Sequence, residues 1–271
     1  MNTISKFIST TALVLAVSGP LSGCADSMKK GANAQEVTGI SDALTGNENG
    51  AQANANNGDA RLIDVSIDES GLSKTTVKVG DGEFDYYQYD NAAVGKVKVT
   101  LSALPRTLAE LKALHLPKGM NDLHDTPYLA PALMAASVSQ YFVDKDECKR
   151  MINYIGKKYK DISTGAADFY ASDWGQLGQY NEKYMQAVRS YFNGATRANG
   201  YTPSEPVTME MELNKYSYTA DENCIQLWIK SSVKSSKQEF KIWMLDQDGD
   251  GRYDYFYPTT FMTLAHGLGE Y

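Results

Sequence analysis

Histidine is scarce in this chain. There are three in 271 residues, His115, His124 and His266, and no two are spaced to share a helical face as metal ligands. Cysteine is equally rare at three, without any metal-ligand spacing. A Gly-x-Ser-x-Gly elbow and a glycine-rich phosphate loop followed by lysine are both missing, which removes the two commonest signatures of hydrolase and nucleotide chemistry. Basic residues are in the minority, 26 against 33 acidic, for a net charge of −7. That balance argues against nucleic acid and against docking on anionic lipid, which need clustered Lys and Arg on one face. Long apolar runs are lacking too: residues 7–17 are interrupted by Ser9, Thr10 and Thr11. Such a stretch falls short of the roughly 20 apolar residues that cross a bilayer. No internal repeat is visible.

The short apolar run has a different meaning. It follows a short segment ending at Lys6, is broken by Gly19 and Pro20, and leads into Leu21-Ser22-Gly23-Cys24. A charged n-region, an apolar core of about a dozen residues and a small-residue cleavage site form an export signal. The Leu-Ser-Gly-Cys box resembles a bacterial lipoprotein signal. The resemblance implies removal of residues 1–23, a diacylglycerol on the Cys24 sulfur and a further acyl chain, palmitate-like, on its nitrogen. Two or more acyl chains anchor stably where one binds only marginally. The mature chain would be exported and held at a membrane, on the cell surface or the periplasmic face. Its net charge would move from −7 to −8, because the removed piece holds one lysine.

Residues 24–59 are rich in Asn, Gly, Ala, Gln and Ser, with few bulky apolar side chains. Such a segment cannot bury enough surface to offset its ordering entropy, and is expected to be a disordered tether. A random coil of about 35 residues reaches on the order of 30 Å. With Cys24 acylated, Cys148 and Cys224 remain as an even pair in an oxidising compartment. They are a candidate disulfide, the alternative being two buried thiols.

Residues 60–271 read as a single α+β domain. Short runs at 62–67, 75–79, 84–89 and 95–101 are rich in branched and aromatic residues and are punctuated by Gly71, Gly80, Gly82 and Asn91, so they predict N-terminal strands. From 107 the period becomes helical. Leu108, Leu111, Leu114 and His115 share a stripe of a short helix; 127–143 is alanine-rich with Pro131 near its start; and 179–192 turns Tyr184, Met185, Val188 and Phe192 inward. The clearest helix is 144–159. Its stripe is Cys148, Met151, Ile152, Ile155 and Tyr159, and Asp144, Asp146 and Glu147 stand at its positive end. Strict alternation at 207–213, 225–230 and 240–244 predicts an antiparallel C-terminal meander, with the helical middle segment packed on it.

The stretch from Ser190 through Gly194-Ala195-Thr196 to Tyr201-Thr202-Pro203 and Pro206, then a strand and Ile229-Lys230-Ser231-Ser232, resembles an uncharacterised bacterial domain family found mainly in secreted and lipid-anchored proteins. The upstream run from Asp125 to Leu133 fits the same pattern, and the resemblance spans roughly residues 100–260. It implies no activity and no site residues. After the Lys-Ser-Ser segment this chain carries Val233 to Lys237 and then an aspartate-rich turn where the family has a short basic element.

Two constellations are candidate sites. Asp246, Asp248, Asp250 and Asp254, with Gly251 at the sixth place, match the first half of an EF-hand loop and are a candidate calcium site. Tyr257 replaces the bidentate glutamate at the twelfth place and the flanks read as strands, so a plain Asp/Gly hairpin turn is the alternative. Trp228 and Trp243 fall on the mixed face of neighbouring strands, near Gln226 and Glu210. They are either a ligand face for a sugar or peptide, or the surface that buries the helical stripe. His124-Asp125 as a dyad, and Asp168 with Asp173 as a carboxylate pair, are weaker patterns. The functional expectation is a lipid-anchored envelope protein with a non-catalytic binding or scaffolding role toward an envelope ligand or protein. The alternative is a cell-surface hydrolase acting on glycan or peptide.

Overall fold

The structure is a computed structural model that describes residues 60–74, 78–79, 82–83, 93–156, 171–219, 223–246, 249, 253–258, 260–266 and 268. All belong to one compact unit, 57–271. The expected signal segment 1–23, the expected tether 24–59 and the expected strand at 84–89 lie outside the described residues.

Ten strands and six helices are described, so the fold is α+β. The strands are β1 (Ile63–Ser73), β2 (Lys78–Val79), β3 (Gly82–Glu83), β4 (Val94–Leu101), β5 (Leu114–His115), β6 (Val207–Leu213), β7 (Tyr218–Thr219), β8 (Cys224–Ile229), β9 (Gln238–Leu245) and β10 (Tyr255–Pro258). The helices are α1 (Leu108–Lys112), α2 (Leu129–Val138), α3 (Lys145–Gly156), α4 (Ala171–Leu177), α5 (Glu182–Ala187) and α6 (Met262–His266).

The sheet corrects the expected arrangement. Its strands are not all C-terminal, because β1, β4 and β5 belong to the same sheet: the order is β10-β9-β8-β6-β4-β1-β5, with β7 added beside β8. The early strand β4 zips onto β6 along seven pairs, from Gly95↔Leu213 to Leu101↔Val207. That register sets Val97 against Met211 and Val99 against Met209 on one face, and all four are fully buried. Nor is the sheet wholly antiparallel, because β5 runs parallel to β1 at Ile63↔Leu114 and Asp64↔His115. His115 therefore leaves the predicted helix. The Ala113 N–H closes α1 on Ala109 and Glu110, and the next two residues extend as strand.

Alternation sorts the two faces of the sheet. Ile225, Leu227, Ile229, Phe240, Ile242 and Met244 join the buried cluster with α2 and α3, whereas Gln226, Trp228, Lys241 and Trp243 point the other way. The helical stripe is thus covered by the aliphatic face and not by the tryptophans. In α3 the stripe Cys148, Met151, Ile152 and Ile155 is fully buried, each side chain contributing about 1.5–3 kcal/mol by burial, and Asp144 Oδ1 accepts the Glu147 N–H at 2.9 Å to cap the helix. Tyr159, the last residue of the expected stripe, lies outside the described residues. All ten residues of α2 are buried, as befits a helix apolar all round, and Pro131 sits in its first turn. The expected helix at 179–192 starts at the Asn181 cap, whose side chain accepts the Tyr184 N–H, and tightens to a 3₁₀ turn over Val188–Tyr191.

Cys148, in α3, and Cys224, opening β8, are both buried. Burial pushes the Cys148 thiol far up, with Asp144 adding to the shift. Both thiols are therefore expected to resist Ellman's reagent at pH 8 in the native chain and to react stoichiometrically in guanidinium; no free thiol after denaturation without reductant would show that they are bridged.

One glycine is dictated by the sheet. The β1–β4 register shifts between Asp68 and Gly71, and Gly95 meets that bulge with φ +127°, where an added Cβ would stand 1.8 Å from the Gly71 carbonyl oxygen. Gly95→Ala is expected to destabilise the chain by about 2 kcal/mol or more in urea unfolding; an unchanged midpoint would mean that the bulge is not required.

Candidate functional site

The sheet forks between β6 and β8. These strands pair at only two positions, Met211↔Ile229 and Glu212↔Trp228. On one side of that contact, β7 takes the edge of β8 through Tyr218↔Ile225 and Thr219↔Cys224. On the other side the strands part, and residues 190–195 bridge them. Asn193 N donates to Thr208 O at 2.8 Å, Ser232 N donates to Ser190 O at 2.9 Å, and Ser232 Oγ donates to Ala195 O at 2.5 Å. Backbone groups that a continuous ladder would have paired are thus paired by the loop.

That loop is held by its own side chains. Thr196 N donates to Asn199 Oδ1 at 2.9 Å, while Asn199 Nδ2 donates to Gly194 O at 2.8 Å and to Thr202 O at 2.9 Å. Thr196 and Asn199 make a reciprocal capping box around a 3₁₀ turn, Arg197–Asn199. Gly194 has φ +79°, and a Cβ there would stand 1.9 Å from Ser204 Oγ. The Gly-Ala-Thr to Tyr-Thr-Pro signature is therefore a folding device that seats the Ser190 to Gly194 segment in the fork.

The fork leaves a cavity of about 370 Å³ on the polar face of the sheet, within the usual size of small-molecule sites. Its sheet side is Lys96, Glu210, Glu212 and Trp228, and its walls are the segments 190–194 and 230–232, with Lys237 also lining it. Cross-strand register explains the sheet side, since Lys96 faces Glu212, which in turn faces Trp228. Lys96 Nζ lies 3.6 Å from Glu210 and 3.9 Å from Glu212, and Lys237 also pairs with Glu212. These pairs are solvated, and exposed pairs of this kind contribute about 0–1 kcal/mol each. Two groups stand out from them. Ser190, only 2% exposed, and the Trp228 indole each carry a buried polar atom, Oγ and Nε1, with no hydrogen-bond partner among the described residues. An unmet buried polar group costs about 1–3 kcal/mol.

The residues anticipated from sequence do not gather at one place. Trp228 lines the cavity, but Trp243 pairs with Cys224 at the far end of the same strands; it is 45% exposed and edge-on to Tyr257 at 5.6 Å. The two tryptophans share a face without forming one patch. Of the candidate calcium ligands, Asp248 and Asp250 lie outside the described residues. Asp246 Oδ1 accepts the Gly249 N–H at 2.7 Å, and Asp254 is exposed, with its N–H on Leu245 O. His124 is buried and stacked on Tyr255 at 4.7 Å, with Nδ1 2.5 Å from Asp122 Oδ1 and Nε2 2.6 Å from Ile155 O. Asp125 is no partner to it: its carboxylate accepts the N–H groups of Asn121 and Asp122, as a turn residue does. Asp173 accepts from Thr260 Oγ1 at 2.7 Å, and Asp168 lies outside the described residues. Ser190, Glu212, Lys96, Lys230 and Lys237 went unnoticed as site residues. Strand parity puts Lys96, Glu212 and Trp228 on the polar faces of their strands, but the β4–β6–β8 pairing is what makes them neighbours; the other three reach the cavity only through the loop geometry.

No curated protein and no solved structure matches the chain. One family model does, that described as Domain of unknown function (DUF6935), over residues 103–264. The match covers more than half of the chain and contains both walls of the cavity, while Lys96 lies outside it. The chain belongs to this DUF6935 family.

Proposed function

We propose that the chain is a lipid-anchored protein of the bacterial cell envelope whose folded domain binds a ligand and performs no chemistry on it. The observation that carries the binding role is that Ser190 and Trp228, whose Oγ and Nε1 are buried and unpartnered among the described residues, both line one cavity. Groups that lower stability persist where function uses them. Both walls of this cavity, 190–194 and 230–232, lie within the residues matched by the family. The hydrolase alternative draws less support, because Glu210 and Glu212, the carboxylates at the cavity, both stand in solvated ion pairs with lysine.

The anchor rests on the Leu-Ser-Gly-Cys box and on the composition of residues 24–59. In a bacterial host, Cys24→Ala is expected to abolish palmitate incorporation and to move the protein from the membrane to the soluble fraction. Unchanged labelling and partition would sink the lipoprotein assignment.

The binding role has a ligand-free test. If Ser190 Oγ awaits a ligand, Ser190→Ala removes an unmet polar atom and is expected to raise stability by about 1 kcal/mol in urea unfolding. A fall of similar size would show that the hydroxyl is satisfied within the fold, by ordered water for instance, and would withdraw the ground for a ligand site.

A further inference from the structure

The unmet groups at the fork have one chemical character. Trp228 Nε1 can only donate, Lys230 is an ammonium with no ion-pair or hydrogen-bond partner among the described residues, and Ser190 Oγ can donate as well as accept. The acceptors at the site, Glu210 and Glu212, are already engaged by Lys96 and Lys237. An occupant that satisfies this set must bring acceptor oxygens. Charge narrows it further. The lining holds three lysines and two glutamates, a local surplus of one positive charge on a chain whose net charge is −7. One negative charge balances that surplus. A dianionic phosphate would leave one charge uncompensated beside two carboxylates, and a neutral sugar would leave the surplus positive charge unbalanced.

We propose that the cavity binds a small monocarboxylate, with Lys230, Trp228 and Ser190 as the groups that receive its oxygens. The inference rests on the binding role given above and deepens it. Ser190 Oγ and Trp228 Nε1 have no free surface in the structure, so the ligand reaches them only as side chains lining the cavity rearrange. Lys230, which is exposed, makes the first contact, and the affinity should fall with salt.

The test is calorimetric titration of the full chain with sodium glucuronate, N-acetylalanine, glucose and inorganic phosphate at one ionic strength. Either carboxylate is expected to bind at least tenfold tighter than glucose and phosphate. Lys230→Gln should weaken that binding roughly tenfold, as loss of a charge-assisted hydrogen bond does, while its unfolding midpoint stays that of the parent chain. Ser190→Ala should also weaken it. Glucuronate alone binding would identify a sugar acid as the source of the carboxylate, N-acetylalanine alone an amino-acid or peptide terminus, and both together the carboxylate itself. Glucose matching glucuronate, or phosphate exceeding it, would overturn the monocarboxylate and leave the binding role standing. Affinity untouched in Lys230→Gln and Ser190→Ala would place the carboxylate elsewhere and overturn the proposal. No response to any of the four would overturn it too; the binding role would then stand or fall with the stability of Ser190→Ala.

Discussion

Two main-chain hydrogen bonds, Asn193 N to Thr208 O and Ser232 N to Ser190 O, tie the segment that follows the helices to both arms of a parting sheet. Without them β6 and the chain beyond Ile229 would present unpaired peptide groups toward each other, a cost that a compact fold does not carry. Closing the gap by ordinary strand pairing would satisfy those groups equally well but would leave no cavity. The loop from Asn193 to Pro206 resolves the conflict. Its capping box, the positive φ values at Gly194, Gly200 and Tyr201, and the buried Tyr201 ring hold it as a rigid spacer, so the fork stays open with its backbone satisfied.

The same constraint explains why polar groups gather where they do. The aliphatic face of the sheet is sealed against α2 and α3, so every side chain of opposite parity must find water, an ion pair or a covering segment. Along β4, β6, β8 and β9 half of them are charged or amide-bearing, and Lys96 pairs across strands with Glu210 and Glu212, at little gain in stability but with no penalty either. At the fork a covering segment arrives, and it buries Ser190 Oγ and the Trp228 indole nitrogen without giving them partners among the described residues. The proposed binding site and the unpartnered polar atoms of Ser190 and Trp228 are therefore one place.

Local elements were legible in the sequence to the extent that their stability is local. In α3 the stripe spacing and the acidic first turn both point one way, and the helix is where they put it. Alternation gave β6, β8 and β9 their inward residues correctly, because parity is a local property. What failed depends on partners far away. Leu114 and His115 continue a helical stripe in sequence, yet pairing with Ile63 and Asp64, some fifty residues earlier, draws them into strand. Trp228 and Trp243 were assigned to the right face, but the partner that covers the helical stripe could be named only once β4 was known to lie against β6. Ser190 was invisible as a site residue for the same reason: a serine ending a helical pattern looks solvated until the Ser232 N–H is seen to dock on its carbonyl.

The long-range pairing also bears on how much chain the domain needs. The family match begins at residue 103, after β4 has ended at Leu101. Yet β4 covers the whole of β6, and Val97, Val99 and Leu101 shield Met211, Met209 and Val207. A chain cut to the matched residues would expose β6 as a long apolar edge with seven unpaired positions, the kind of edge that recruits other strands and aggregates. It would also lose Lys96, which holds Glu210 and Glu212 at the cavity. The folding unit in this chain therefore extends toward the N-terminus beyond the family match at least through β1, whose Val65 and Ile67 protect β4 in turn. The two segments that precede the match differ in kind: residues 24–59 have the composition of a spacer, while 63–101 supply the strands without which the cavity would have neither Lys96 nor its charge balance.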